Sequence, residues 1–157
     1  MLSLTRKTDY ALVALAKLAD AGSDGNERLS VRQIAEEYSL PLPSLMNVFK
    51  DLQRAGFVHS SRGARGGYCL AARLNQINLI SVIEAIEGPT QLTLCCEDDE
   101  PDEPCVSCTI IDHCPITNSM KKINDRITEF LSKITVQDLM DSEVNVLLSS
   151  VGTETKP

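Results

Sequence analysis

The sequence contains no long hydrophobic run and only two histidines among its 157 residues. No stretch approaches the roughly 20 apolar residues that a membrane-spanning helix needs, and the N-terminal residues carry no apolar run typical of a signal peptide. We therefore expect a cytoplasmic protein without a membrane partner. No Ser/His/Asp or Cys/His arrangement stands out, and no glycine loop lies between a strand and a helix as phosphate-binding loops do. The sequence therefore predicts a protein that is not an enzyme.

Positive charge is also scarce, because 15 lysines and arginines oppose 22 aspartates and glutamates and give a net charge of −7. The deficit is uneven along the chain. Residues 1–75, called the head below, carry ten basic against seven acidic side chains, a balance of +3. Residues 76–157 carry five against fifteen, a balance of −10. Phosphate binding depends on local charge, so the acidic total does not exclude DNA as a partner of the head.

Start and stop signals predict two helices at the beginning of the head. The first can be capped by Thr5 or Thr8 and is expected to end at Gly22, a residue suited to the position after a helix. The second begins at a capping box formed by Ser30 and Gln33 and ends near residues 38–39.

A third helix is predicted from Pro43, which suits the first helical turn, to Gly56. Its apolar residues fall on one buried face at helical spacing, namely Leu45, Val48, Phe49 and Leu52. Ser44, Asn47 and Lys50 fall on the opposite side. Two helices joined by a tight turn, the second with a polar N-terminal face, are typical of a helix-turn-helix, although a generic helical hairpin fits the same spacing.

A β-hairpin is predicted next, from short β-type runs at residues 57–60 and 68–70 that flank a segment with three glycines. Arg62 and Arg65 lie at its tip. A hairpin wing beside a helix-turn-helix can place arginine in the minor groove, where the potential is negative. An exposed hairpin without a DNA role is the alternative. The order of the features favours DNA binding, with Ser44 and Asn47 near base edges in the major groove, Lys50 near phosphate and the two arginines in the minor groove.

Two further helical patterns occupy the second half of the chain. Ser81 and Glu84 form a capping box for a helix that stops at residues 88–89, a Gly-Pro pair. A heptad-like seam then runs along roughly 30 Å of helix and consists of Ile116, Met120, Ile123, Ile127, Phe130 and Ile134. This seam either packs on the head of its own chain or pairs with a second copy, and its length favours a homodimer.

Five of the six cysteines fall within residues 95–114, an acidic and proline-broken segment without apolar periodicity that is typical of a loop. In a reducing compartment, clustered cysteines indicate metal ligands or redox centres rather than disulfides. Thiolates suit an iron–sulfur cluster. Zinc is the rival, because Cys105 and Cys108, with Cys95 or Cys96 and with Cys114, can complete a tetrahedral thiolate site.

Four stretches together resemble the Rrf-two (Rrf2) family of bacterial winged-helix regulators: TDYAL at residues 8–12, LQRAGFV at 52–58, RGARGGYCLA at 62–71 and ISVIEAIEG at 80–88. The resemblance runs from residue 1 to about residue 134. It implies a mainly α fold with a small β-hairpin wing, in which a winged helix-turn-helix precedes a long C-terminal dimerisation helix. It also implies a homodimer that binds a palindromic double-stranded DNA operator and regulates transcription, most often as a repressor.

Members of that family hold one iron–sulfur cluster per subunit on three cysteines ahead of the dimerisation helix. The resemblance assigns these ligands to Cys96, Cys108 and Cys114, with Cys105 as an alternative to Cys96. The partner subunit's Asp9 matches the acidic fourth ligand of some members. A 4Fe-4S centre is favoured slightly over a 2Fe-2S centre, and the implied signal is redox state, nitric oxide or iron and cluster supply. The competing function is a zinc-stabilised or cluster-carrying dimeric scaffold without a DNA role.

The chain therefore divides into five expected segments. A DNA-binding domain at residues 1–75 is followed by a connecting helix at 76–90 and a cysteine-rich cluster loop at 91–114. A dimerisation helix at 115–134 precedes a short helix and tail at 135–157. Outside the loop's ligand set, Cys69 is interpreted as a packing residue of the wing, and His113 as a surface residue.

Overall fold

The computed structural model describes residues 4–23, 28–63, 66–92, 110 and 113–141. Within these ranges the chain forms helices and one antiparallel hairpin: α1 (Arg6–Ser23), α2 (Val31–Glu37), α3 (Leu42–Arg54), β1 (Val58–Ser61), β2 (Gly67–Leu70), a 3₁₀ turn (Leu74–Gln76), α4 (Leu79–Glu87), α5 (Thr117–Ser132) and α6 (Val136–Met140). The predicted fold class, mainly α with a small β-hairpin wing, is confirmed. None of the helices in the described ranges is long and apolar enough to cross a membrane.

The three helices of the head have the predicted order, with small differences at their ends. Thr5 precedes α1, and its hydroxyl accepts a hydrogen bond from the Lys7 amide at 3.3 Å, whereas Thr8 lies buried inside the helix. Gly22 was expected to follow α1 but lies within it, because the helix continues to Ser23. The capping box of α2 is confirmed, since Ser30 and Gln33 bond each other's backbone amides at 2.8 and 3.2 Å.

The start of α4 corrects one prediction. The side chain of Asn78, and not that of Ser81, caps this helix, because the Asn78 carboxamide oxygen accepts the Ser81 amide at 2.8 Å. Gly88 ends the helix as predicted, and its φ of 87° lies in the left-handed region that glycine adopts without a steric penalty.

The core of the head forms around α3. Its predicted apolar face is confirmed, because Leu45, Val48, Phe49 and Leu52 are all fully buried. They pack with buried residues of α1, including Ala11, Ala14, Leu15 and Leu18. The Phe49 ring also lies against the Tyr68 ring of β2, with centroids 4.6 Å apart. Helix α3 is thus fixed from behind by α1 and from the side by the wing.

The wing is a two-stranded antiparallel sheet in which Val58 pairs with Leu70 and Ser61 with Gly67. A third chain segment joins it, because Leu29 and Tyr68 exchange backbone hydrogen bonds at 3.1 and 2.8 Å. This contact explains the glycine at position 67, where an added Cβ would lie 2.8 Å from the Leu29 carbonyl oxygen. The segment before α2 therefore closes onto the wing, which sequence periodicity did not indicate.

Helix α5 packs loosely on its own chain and has no buried residue. Only the C-terminal end of the seam is enclosed, where Ile134 packs with Leu79 and Ile83 of α4. The Leu79 amide donates to the Ile134 carbonyl at 2.8 Å, which fixes this junction. Ile116 and Ile123 remain 57% and 46% exposed. The intramolecular packing foreseen for the seam thus encloses its C-terminal end, and pairing with a second copy stays a prediction.

Candidate DNA-binding surface and cysteine-loop anchors

The solvent-facing side of α3 presents the predicted polar residues. Asn47 and Lys50 are exposed and Ser44 is half-buried, all on the side opposite the apolar face of the helix. The turn before α3 is closed by Ser39, whose φ of 53° reverses the chain, and by a 2.8 Å hydrogen bond from the Leu40 amide to the Ala35 carbonyl. The N-terminal half of α3, which follows this turn, carries the exposed residues Pro43, Met46 and Asn47.

The wing lies beside α3 and is held to it by a side-chain hydrogen bond. The Gln53 amide nitrogen donates to the Ser60 hydroxyl at 3.1 Å. Arg62, just after β1, is exposed, whereas Arg65 lies outside the described residues. Position 66 requires glycine, because an added Cβ would lie 2.5 Å from the Ser61 carbonyl oxygen. Helix α3 and the wing are therefore joined into one surface, called the basic surface of the head below, which carries the exposed cations Lys50 and Arg62.

Cys114 is the one predicted thiolate ligand whose surroundings the structure describes, since Cys96, Cys105 and Cys108 lie outside the described residues. It is half-buried in the turn before α5. Hydrogen bonding to Thr117 and to the Ile116 amide lowers the pKa of the Cys114 thiol, and the Thr117 hydroxyl also donates to the Cys114 carbonyl oxygen at 3.4 Å. The site therefore favours the thiolate, which is the form that binds metal.

The other predicted contributors to a metal site do not gather around Cys114 in the part of the chain that the structure describes. No group of three or more His, Cys, Asp or Glu side chains able to hold a metal occurs there. His113 is exposed, and Asp9 is exposed on the first turn of α1. Cys69 is half-buried on β2, with its sulfur 3.9 Å from the His59 carbonyl oxygen, which suits a packing role. Of the predicted metal ligands that the structure describes, Cys114 is the one whose surroundings suit a thiolate ligand of a cluster.

Two hydrogen-bonded anchors lie on either side of the segment that leads into the cysteine loop. At the end of α4, the Glu87 carboxylate accepts the Thr5 amide at 2.8 Å and the hydroxyl of the buried Thr8. Four residues past Gly88, the Leu92 amide donates to the Asn124 side chain of α5 at 3.1 Å. Sequence reasoning missed both anchors. Thr8 did carry a signal, because it occupies a position on the apolar face of α1, where a buried hydroxyl needs a partner.

The Glu87 anchor gives a testable prediction of stability. Burial is the largest single influence on the pKa of Glu87 and raises it. The hydrogen bonds from Thr8 and Thr5 together lower it by more, so the pKa lies below its ordinary value. Glu87→Ala is expected to lower the free energy of unfolding by about 1–3 kcal/mol at neutral pH, since it leaves the Thr8 hydroxyl buried and unpaired.

A carboxyl with a depressed pKa stabilises the fold above its unfolded-state pKa and loses that contribution as the pH falls through its folded-state pKa. The difference between wild type and Glu87→Ala, measured by urea denaturation, should therefore shrink in acid. Glu84→Ala, an exposed carboxylate one turn earlier on α4, is the matched control and should cost less than about 0.5 kcal/mol. A cost for Glu87→Ala no larger than this control would contradict the anchor.

A helix-turn-helix packed against a hairpin wing, with cations on the shared surface, defines a winged-helix transcriptional regulator. The sequence model of the Rrf2 family, described as an iron-dependent transcriptional regulator, matches residues 4–142. The chain belongs to the Rrf2 family.

Individual relatives agree with this assignment. The chain is 31% identical over 140 residues to the HTH-type transcriptional regulator IscR of Pectobacterium atrosepticum, covering 89% of this chain and 80% of that protein. It is 40% identical over 86 residues to IscR of Cereibacter sphaeroides, a match that covers 55% of this chain and only 56% of that protein.

Solved structures share the fold. CymR, the global cysteine regulator of B. subtilis, superposes with a TM-score of 0.66 at 29% identity, covering 90% of this chain and 98% of that chain. IscR of T. potens superposes with a TM-score of 0.63 at 27% identity, covering 92% of this chain and 90% of that one. The predicted winged-helix fold and family are thereby confirmed.

Proposed function

We propose that this protein is an iron–sulfur-cluster-dependent transcriptional repressor that binds a palindromic operator as a homodimer. The observation that carries the proposal is Cys114, a half-buried free cysteine in the turn before α5 whose thiol pKa lies below its ordinary value. The matched family is described as iron-dependent, which supports the same conclusion. Residues 91–114, the cysteine loop, supply the remaining thiols that such a centre requires.

The DNA contacts are assigned to the basic surface of the head. Asn47 and Ser44 are proposed to lie near base edges in the major groove and Lys50 near phosphate. Arg62 and Arg65 are proposed to enter the flanking minor groove. A homodimer would present two such surfaces to the half-sites of a palindrome, and the exposed Ile116 and Ile123 of α5 supply the apolar contact for it.

The cluster is proposed to be held by Cys96, Cys108 and Cys114, with Cys105 as the alternative to Cys96 and the partner subunit's Asp9 as a fourth ligand. When bound, such a group supplies a redox-active centre that responds to oxidants, nitric oxide or iron supply. A 4Fe-4S form is proposed ahead of a 2Fe-2S form, with zinc as the rival metal.

The chain links the cysteine loop to the head through its own hydrogen bonds. Cys114 joins the loop to the start of α5, and Asn124 fixes Leu92 to the same helix. Glu87 then joins the end of α4 to the start of α1. Since α1 packs behind α3, a loop held differently alters the support of the recognition helix. We expect this change in the support of α3 to couple cluster binding to operator binding with a free energy of about 1–3 kcal/mol.

The test compares cluster-loaded protein, cluster-free protein and the variants Cys96→Ala, Cys108→Ala and Cys114→Ala on one operator, after anaerobic purification with iron and sulfide analysis. We expect the three variants to lose iron and operator affinity to differ between loaded and cluster-free protein by about 5–150-fold. Binding should weaken steeply with salt, because phosphate neutralisation releases counterions. Cys69→Ala is the matched control and should keep its iron.

Each contrary result has a distinct meaning. Equal affinities across all five proteins would remove the cluster from regulation. Iron retained by Cys96→Ala but lost by an additional variant, Cys105→Ala, would change the ligand set and leave the switch intact. Zinc in place of iron, together with no salt-sensitive DNA binding, would favour the scaffold function instead.

A further inference from the structure

An apolar side chain stands exposed on the surface that the head presents to DNA. Met46 lies on α3 and is 49% exposed. The remaining large apolar residues of α3 are buried or half-buried, including the four core residues described above. Exposed apolar residues that occur singly need no explanation. Met46 does not stand alone, however, because Pro43, three residues earlier and also exposed, lies on the same side of the helix.

The position of Met46 within the helix places it where base contacts are made. It lies in the second turn of α3, next to Asn47 and one turn before Lys50. Residues in the N-terminal half of a recognition helix are those that reach base edges. A long helical side chain also points back towards the N-terminus and covers the preceding turn, so Met46 extends towards the end of α3 that enters a groove.

The chemistry of the major groove offers one apolar feature to such a side chain. The 5-methyl group of thymine is the only hydrocarbon group that base edges present there, and apolar side chains contact it. A protein partner is the other conceivable occupant. The flanking charges favour DNA, because Lys50 on the same helix and Arg62 on the wing are both exposed cations, whereas Met46 and Pro43 alone form a very small apolar patch.

We propose that Met46 contacts a thymine 5-methyl group in each operator half-site and so determines a preference for thymine at that position. The inference rests on the proposed DNA-binding function and adds the chemical group that this residue recognises. Asn47, the next residue, has the carboxamide that pairs with adenine N6 and N7. Met46 and Asn47 therefore make the N-terminal half of α3 a reader of A·T pairs.

The experiment begins with a duplex selected from a random DNA pool by the wild-type protein. Each thymine of one half-site is then replaced in turn by deoxyuridine, which lacks only the 5-methyl group. At one position this replacement should weaken wild-type binding about fourfold, the effect of leaving one methyl group unburied. Met46→Ala should bind the thymine and deoxyuridine duplexes equally. Met46→Leu, which keeps an apolar side chain, should recover most of the discrimination.

Met140→Ala is the matched control, because Met140 is also exposed but lies on α6, outside the proposed surface. It should discriminate between the two duplexes as the wild type does. Wild-type binding that is insensitive to deoxyuridine at every position would overturn the inference, and so would a penalty that persists undiminished in Met46→Ala. Both results leave the proposed function standing. Failure to select any duplex would instead overturn the proposed DNA-binding function, and the inference with it.

Discussion

Phe49→Ala is expected to lower the free energy of unfolding by about 3–5 kcal/mol, the usual cost of removing a fully buried phenylalanine. Phe49 is 0% exposed and its ring lies 4.6 Å from that of Tyr68, so truncation opens a cavity between α3 and the wing. Small domains are stable by about 5–15 kcal/mol, which makes this a large fraction of the total. Urea denaturation followed by circular dichroism measures the loss.

Phe130→Ala provides the comparison for Phe49→Ala. Phe130 is only half-buried, where it packs beside Ile134 at the edge of the smaller core cluster. The same chemical truncation should cost less there, because less surface leaves water on folding. If Phe49→Ala cost no more than Phe130→Ala, the buried contact between the recognition helix and the wing would not be the source of the head's stability.

Ile123→Asp is expected to convert the proposed homodimer to a monomer. Ile123 is 46% exposed on its own chain, in the middle of a helix that has no buried residue. A contact between two copies would bury it, and an aspartate in that contact would place an unpaired charge in an apolar interface. Analytical ultracentrifugation measures the change, and binding to a palindromic duplex should fall with it.

Asn118→Asp is the control for dimerisation. It adds the same carboxylate to an exposed position of α5, but about 140° away from Ile123 around the helix. This variant should remain dimeric. If Ile123→Asp still sediments as a dimer, the contact between subunits lies on another surface. Denaturation of Ile123→Asp and of the wild type distinguishes a loss of assembly from a loss of folding.

The elements of the head could be predicted from sequence because their signals are local. The Ser30–Gln33 capping box, the apolar face of α3 and the glycine-rich hairpin each lie within a few residues, and the structure confirms all three. The cap of α4 shows where local signals fail. Asn78 and Ser81 are both good capping residues three positions apart, and in the structure the helix begins at Leu79, which packs against Ile134.

Contacts between distant residues could not be predicted in this way. Thr8 and Glu87 are 79 residues apart in sequence, and Leu29 pairs with Tyr68 across the whole helix-turn-helix. Such pairs depend on how the helices pack, which a single sequence does not encode as a period or a motif. For the candidate site, the residue types of the cysteine loop indicated thiolate chemistry, but the hydrogen bonds that favour the Cys114 thiolate arise only once α5 begins at Thr117.

The anchoring of Leu92 by Asn124 has a consequence for the cost of assembling the cysteines. Leu92 is bonded to Asn124, which lies seven residues after Thr117 on α5, or about 10 Å along the helix axis. Cys114 lies just before Thr117. Both ends of the intervening chain are therefore already held close together by the fold. Closing a loop of about 20 residues otherwise costs roughly 2.7 kcal/mol of chain entropy, besides a constant. Cys96 lies four residues beyond Leu92, a chain length of at most about 14 Å, so the Leu92 anchor limits the distance from Cys114 at which Cys96 can lie and raises the effective concentration of the two thiols.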